Sequence, residues 1–183
     1  RLWIVPHHEA PPEDRQAVVV RLDPGLAFGT GTHPSTALCL TWLDSRLDQG
    51  ARVIDYGCGS GVLAVAAARL GASEVHAFDI DPQALIATRD NAATNAVEPL
   101  VHVHEQAATL PVEVDVVVAN ILAGTLVELA PSLCALLKPG GQLILAGILR
   151  QQVHEVRAGF GPWMELSVFA ERDGWSALSG RKP

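Results

Sequence analysis

From residue 52 onward the sequence alternates short apolar runs with longer helical segments, and that alternation leaves few foldable arrangements. Residues 53–56 form a brief apolar run carrying Asp55, and the Ala-rich stretch 62–70 that follows favours helix. Residues 74–79 make the next strand candidate. Pro82 suits the first position of a helix reaching about Asn95. Residues 101–104 are a weaker strand, whereas 114–119 is a continuous β-branched run of the kind a strand buried on both faces carries. A helix over 125–137 is predicted to stop at Lys138-Pro139-Gly140-Gly141, before a strand at 142–146 and a helix at 151–158. Residues 164–171 and 175–179 read as a hairpin around Asp173-Gly174. The expectation is an α/β fold: a doubly wound, mainly parallel sheet closed by a C-terminal antiparallel hairpin.

The first 21 residues hold two β-like runs, 2–5 and 18–22, around an acidic Pro-rich loop with Pro6, Pro11, Pro12, Glu13 and Asp14. The expected organisation is an N-terminal extension and covering loop over 1–35, then the main domain over 36–183. A chain of 183 residues suits one such domain. Its 49% hydrophobic and 18% charged residues exclude a disordered or fibrous protein. The formal charge of −7 argues against a large nucleic-acid footprint and suits a small ligand or a basic protein partner. No apolar run approaches the roughly 18 residues of a membrane helix. Cys39, Cys58 and Cys134 form no CxxC pair, which reads as a reducing, cytoplasmic setting. The opening residues do not read as a signal peptide, and the start at Arg1 instead of Met reads as a processed or excised domain.

The chemistry concentrates where the first strand of this alternation meets its helix, at Asp55-Tyr56-Gly57-Cys58-Gly59-Ser60-Gly61. Three alternating glycines let a ligand approach the backbone, and the following helix start offers N–H groups to a negative group. The dinucleotide fingerprint G-x-G-x-x-G needs a small residue where Val62 stands. Asp55 also sits badly beside a pyrophosphate. Both suit S-adenosylmethionine, whose methionine part carries an ammonium for acidic oxygens and a carboxylate for the loop N–H groups.

Asp79 ends the second strand 22 residues after Gly57, where a carboxylate accepts ribose hydroxyls in either cofactor class. Asp81, followed by Pro82, reads as a helix cap instead. Asn120 closes the 114–119 strand on the side where a doubly wound sheet places its crevice. Its amide oxygen suits a substrate amine with the lone pair aimed at a methyl group. Residues 22–36 are rich in Gly, Thr and Pro around Phe28, the composition of a loop that folds over a ligand and excludes water. His33 there is a minor candidate for a base.

These residues together resemble the ribosomal protein L11 methyltransferases: the 22–36 run, the 55–61 loop, Asp79-Ile80-Asp81-Pro82 and Asn120-Ile121-Leu122-Ala123. The Phe28-Gly29-Thr30-Gly31-Thr32-His33-Pro34 and Asn120 runs are the specific part; the glycine loop alone marks only the broad S-adenosylmethionine-dependent class. The resemblance implies a Rossmann-like class I methyltransferase sheet of about seven strands. It implies methyl transfer to the N-terminal α-amine and lysine side chains of ribosomal protein L11. Thr36, Gly57, Asp79 and Asn120 would contact the cofactor, with Phe28, Thr30 and His33 nearby, and Asp55 and Gly59 contribute from the loop. Members carry an N-terminal domain that recognises the substrate protein, and the resemblance implies that this chain lacks it. Three alternatives remain on the residues alone: a methyltransferase for another protein or small-molecule amine or amide, a nicotinamide oxidoreductase, and a non-catalytic binding domain.

Overall fold

A computed structural model describes residues 1–22 and 32–183. Phe28 and Thr30 lie outside the described residues. Two short strands, β1 (Leu2–Val5) and β2 (Val18–Arg21), pair in parallel as a separate small sheet. Helix α1 (Pro34–Arg46) then leads into the alternation: β3 (Arg52–Tyr56), α2 (Val62–Arg69), β4 (Glu74–Phe78), α3 (Pro82–Thr94), β5 (Val101–His104), β6 (Val114–Asn120), α4 (Ala123–Leu136), β7 (Leu137–Leu149), α5 (Val153–Phe160), β8 (Ser167–Arg172) and β9 (Trp175–Arg181).

The main sheet has seven strands in the order β5-β4-β3-β6-β7-β9-β8. Pairings from β5 through β7 are parallel, and β9 joins antiparallel to both β7 and β8. This is the expected doubly wound sheet with its closing hairpin. Alternate side chains of each strand feed two cores. Val53, Val75, Val116 and Ile144 meet α1 to α3 on one face through Trp42, Leu63 and Leu85. Ile54, Val117, Leu143 and Leu145 meet α4 and α5 on the other through Leu126, Leu133 and Phe160. The central strands are therefore largely apolar on both sides, which explains the three consecutive valines, 116–118, in β6.

Strand β7 is longer than the sequence suggests. Leu137 pairs with Val114, and the register then shifts so that Gln142 faces Val116. The Gly140 N–H donates to the Lys182 carbonyl, and the Lys182 N–H to that of Gly141. The Lys-Pro-Gly-Gly run thus bulges without leaving the sheet, because its partner is the end of the chain. The winding reverses between β3 and β6, which lie side by side although β4 and β5 intervene in sequence. Such a switch point opens a crevice beyond the strands' carboxyl ends.

Candidate active site

The two strand tips at the switch point nearly touch. A Cβ on Gly57 would stand 2.5 Å from Cγ2 of Ile121, and the φ of Gly57 is +83°. Only glycine lets the β3 turn pass this close to the β6 tip. The Gly57 and Cys58 N–H groups both donate to the Phe78 carbonyl at 2.7 and 2.9 Å, pinning the loop to the end of β4. The Gly59 N–H donates to Asp79 Oδ2 at 2.9 Å, and the Gly61 N–H to the Cys58 carbonyl at 2.8 Å. The Val62 N–H donates to the Ser60 hydroxyl.

This geometry corrects one expectation. The amides of Gly57, Cys58, Gly59, Gly61 and Val62 are bonded within the protein instead of standing open to an anion. A buried tight turn must satisfy its own backbone, and this one does. Its glycines provide close approach and left-handed backbone.

Asp55 is likewise placed otherwise than expected. Its side chain is fully buried and does not line the cleft above the loop. Oδ2 accepts the Ala64 N–H at 3.0 Å, within the first turn of α2. That helix begins after Gly61, which has no side chain to cap it, so Asp55 supplies the missing acceptor from the strand below. Oδ1 has no hydrogen-bond partner among the described residues. Burial pushes the Asp55 carboxyl up to about 7, opposed by the Ala64 N–H and reinforced by the Asp79 carboxylate.

Asp79 stands at the tip of β4, half-buried, with Oδ1 on the Asp81 N–H and Oδ2 on the Gly59 N–H, each at 2.9 Å. Asp81 instead caps α3, accepting the Gln83 N–H at 2.9 Å, as its position before Pro82 suggests. A carboxylate has about four lone-pair positions, so Asp79 keeps capacity for further donors. It lines two adjoining clefts. One, of about 210 Å³, runs between Thr36, Gly57, Gly59, Asp79, Asn120 and Ile121. The other, of about 490 Å³, is bounded by Asp79, Ile80, Leu85, Arg89, Glu105 and Gln106.

Asn120 reaches the first cleft from the tip of β6, where its Nδ2 donates to Thr36 Oγ1 at 3.1 Å. Thr36 is buried in the first turn of α1. Gly147 of β7 makes room beside this tip: a Cβ there would lie 2.4 Å from the Ile121 carbonyl oxygen and 3.1 Å from Asn120 Oδ1. His33 caps α1, its Nδ1 accepting the Ser35 N–H at 3.2 Å, and its ring lies edge-on to Trp175. It does not line the cleft.

Sequence reasoning missed the backing of the loop. Thr88 Oγ1 donates to the Gly59 carbonyl at 3.2 Å, and Asn91 Nδ2 to that of Ser60 at 2.7 Å. A Cβ on Gly61 would sit 2.9 Å from the Thr88 Cα. Their three-residue spacing puts both on one face of α3, the only trace this clamp leaves in the sequence.

Thr36, Gly57, Gly59, Asp79 and Asn120 therefore meet at one cleft, Asp55 lies beneath it, and Phe28 and Thr30 fall outside the described residues. The model of the ribosomal protein L11 methyltransferase family matches residues 1–183. The chain is 56% identical over 183 residues to a ribosomal protein L11 methyltransferase of Pseudomonas aeruginosa (strain LESB58), covering 100% of this chain and 62% of the relative. It is 56% identical over 185 residues to the one from Vibrio cholerae serotype O1 (strain M66-2), again with 62% of the relative covered. The chain thus spans less than two thirds of the length of these curated relatives. The crystal structure of a ribosomal protein L11 methylase from Lactobacillus delbrueckii subsp. bulgaricus superposes with a TM-score of 0.91 at 34% identity, over 100% of this chain and 95% of that one. A precorrin-6y C5,15-methyltransferase from Geobacter metallireducens shares the fold at a TM-score of 0.65 and 20% identity, over 80% and 87% of the two chains.

Proposed function

Because the chain belongs to the ribosomal protein L11 methyltransferase family, we propose that it transfers methyl groups from S-adenosylmethionine to the α-amine and lysine ε-amines of ribosomal protein L11. The observation that carries this reading is Asn120, anchored to Thr36 at the rim of the same cleft that Asp79 lines from the opposite strand tip. The donor set fits the cofactor. Among the described residues no Lys or Arg lines the first cleft to meet a pyrophosphate, while the Asp79 carboxylate faces it as an acceptor. Asp79 would take the ribose hydroxyls and the glycine loop the methionine part. The adenine would lie toward Ile80 and Gln106 in the adjoining cleft.

When bound, S-adenosylmethionine supplies a methyl group already made electrophilic by its sulfonium. The residues of the protein have two tasks. One is to hold the acceptor amine neutral: with an ordinary lysine pKa near 10.4, deprotonation at pH 7 costs roughly 4.6 kcal/mol, which a low-dielectric site reduces. The other is alignment, for which the Asn120 amide oxygen accepts an amine hydrogen and aims the lone pair. The formal charge of −7 complements a basic ribosomal protein as substrate. Calorimetry of the protein against S-adenosylmethionine and NAD tests the cofactor assignment. Binding of the first alone supports it, and binding of NAD alone overturns it.

A further inference from the structure

Just beyond the β6 tip stands an apolar side chain that the fold leaves exposed. Among the described residues, the two most exposed large hydrophobic side chains are Ile80, 89% exposed, and Leu122, 75% exposed. Each stands two residues beyond a strand end at the carboxyl edge of the sheet, Ile80 after β4 and Leu122 after β6. Ile80 lines the second cleft. Leu122 has no such place.

Leu122 also breaks a local rule. It is the N-cap of α4, with extended backbone (φ −60°, ψ 141°), and its carbonyl accepts the Leu126 N–H at 3.0 Å. Ser, Thr, Asp or Asn at an N-cap would satisfy a free helix N–H, which a leucine cannot do, and no side-chain cap is present. Leu122 is thus unfavourable twice over, as exposed apolar surface and as a helix cap. Departures from local preference of this kind collect at functional sites.

Its position suggests what the departure serves. Two residues of chain span at most about 7 Å, so Leu122 stands within the reach of a lysine's four-carbon stem from Asn120. We infer that Leu122 receives the aliphatic stem of the lysine substrate and thereby favours ε-amines over the α-amine. The inference rests on the proposed function. Covering the stem removes water beside the amine, which favours the neutral nucleophile. An α-amine has no such stem and draws nothing from the contact.

The test uses Leu122→Ser and Leu122→Met with two forms of L11, one acetylated at its α-amine and one with every lysine replaced by arginine. Serine is a good N-cap, so Leu122→Ser should melt no lower than the parent, which separates the result from misfolding. Loss of contact with about two methylenes should lower kcat/KM on the ε-amine form about tenfold. The α-amine form should be methylated at the parental rate, cofactor affinity should be unchanged, and Leu122→Met should retain both activities. Unchanged ε-amine kcat/KM in Leu122→Ser, or an equal fall on both forms, overturns the inference alone. A parent enzyme that methylates neither form overturns the proposed function, and the inference with it.

Discussion

The Asn120 side chain donates to the Thr36 hydroxyl at 3.1 Å, joining the tip of β6 to the first turn of α1 across 84 positions of sequence. With its nitrogen held there, the amide oxygen is left to accept from an acceptor amine. Asn120→Ala should therefore lower kcat by about 10- to 100-fold, one hydrogen bond to a developing charge being worth about 1.5–3 kcal/mol, while cofactor affinity changes little. Thr36→Val keeps the volume but removes the anchor, and should move kcat in the same direction by less. Steady-state kinetics beside calorimetric cofactor titration checks both, and an unchanged kcat in Asn120→Ala rules the role out.

The two aspartates after β4 should separate cleanly. Asp79→Ala removes the bonds to the Gly59 and Asp81 N–H groups as well as those proposed to the ribose, and should weaken cofactor binding at least tenfold, at about 1.5–3 kcal/mol per charged bond. Asp81→Ala removes the α3 cap and should cost about 1 kcal/mol of stability with affinity near the parent's. Titration and denaturant melts of the pair distinguish them; the reverse pattern would mean that Asp81 is the ribose ligand.

Asp55 should make stability depend on pH. Its folded carboxyl titrates at about 7, above its ordinary 3.8, because it is buried. Between those values the folded state holds a proton that the unfolded chain has lost, so this contribution is full below the lower value and is lost as pH rises through the higher one. The slope is about 1.4 kcal/mol per pH unit at most. Asp55→Asn mimics the neutral form and should lack this slope. Urea denaturation of parent and variant at pH values from about 5 to about 7 measures the difference, expected to shift in favour of the variant as pH rises. A constant difference contradicts the assignment.

Much of this site was legible because its signals are local. Asp79, Asp81 and Asn120 sit at strand ends marked by apolar runs, and Pro82 betrays the helix that Asp81 caps. What escaped reading depends on partners distant in sequence. Asp55 bonds to Ala64 because Gly61 cannot cap α2, a relation visible only once strand and helix are stacked. The loop amides look open in sequence and are consumed by Phe78, Asp79 and the loop itself. Thr88 and Asn91 brace the glycines from a helix that begins 21 residues after Gly61. The length of β7 is set by pairing with Lys182 at the far end of the chain.

The most direct test is transfer itself: L11 incubated with the protein and S-adenosylmethionine carrying an isotopic methyl label, with the modified positions mapped by mass spectrometry. The account predicts label on the α-amine and on lysine ε-amines of L11 with the parent protein. It predicts little with Asn120→Ala, although that variant still binds the cofactor. Label on no amine of L11 despite saturating cofactor, or equally fast labelling by Asn120→Ala, would contradict it.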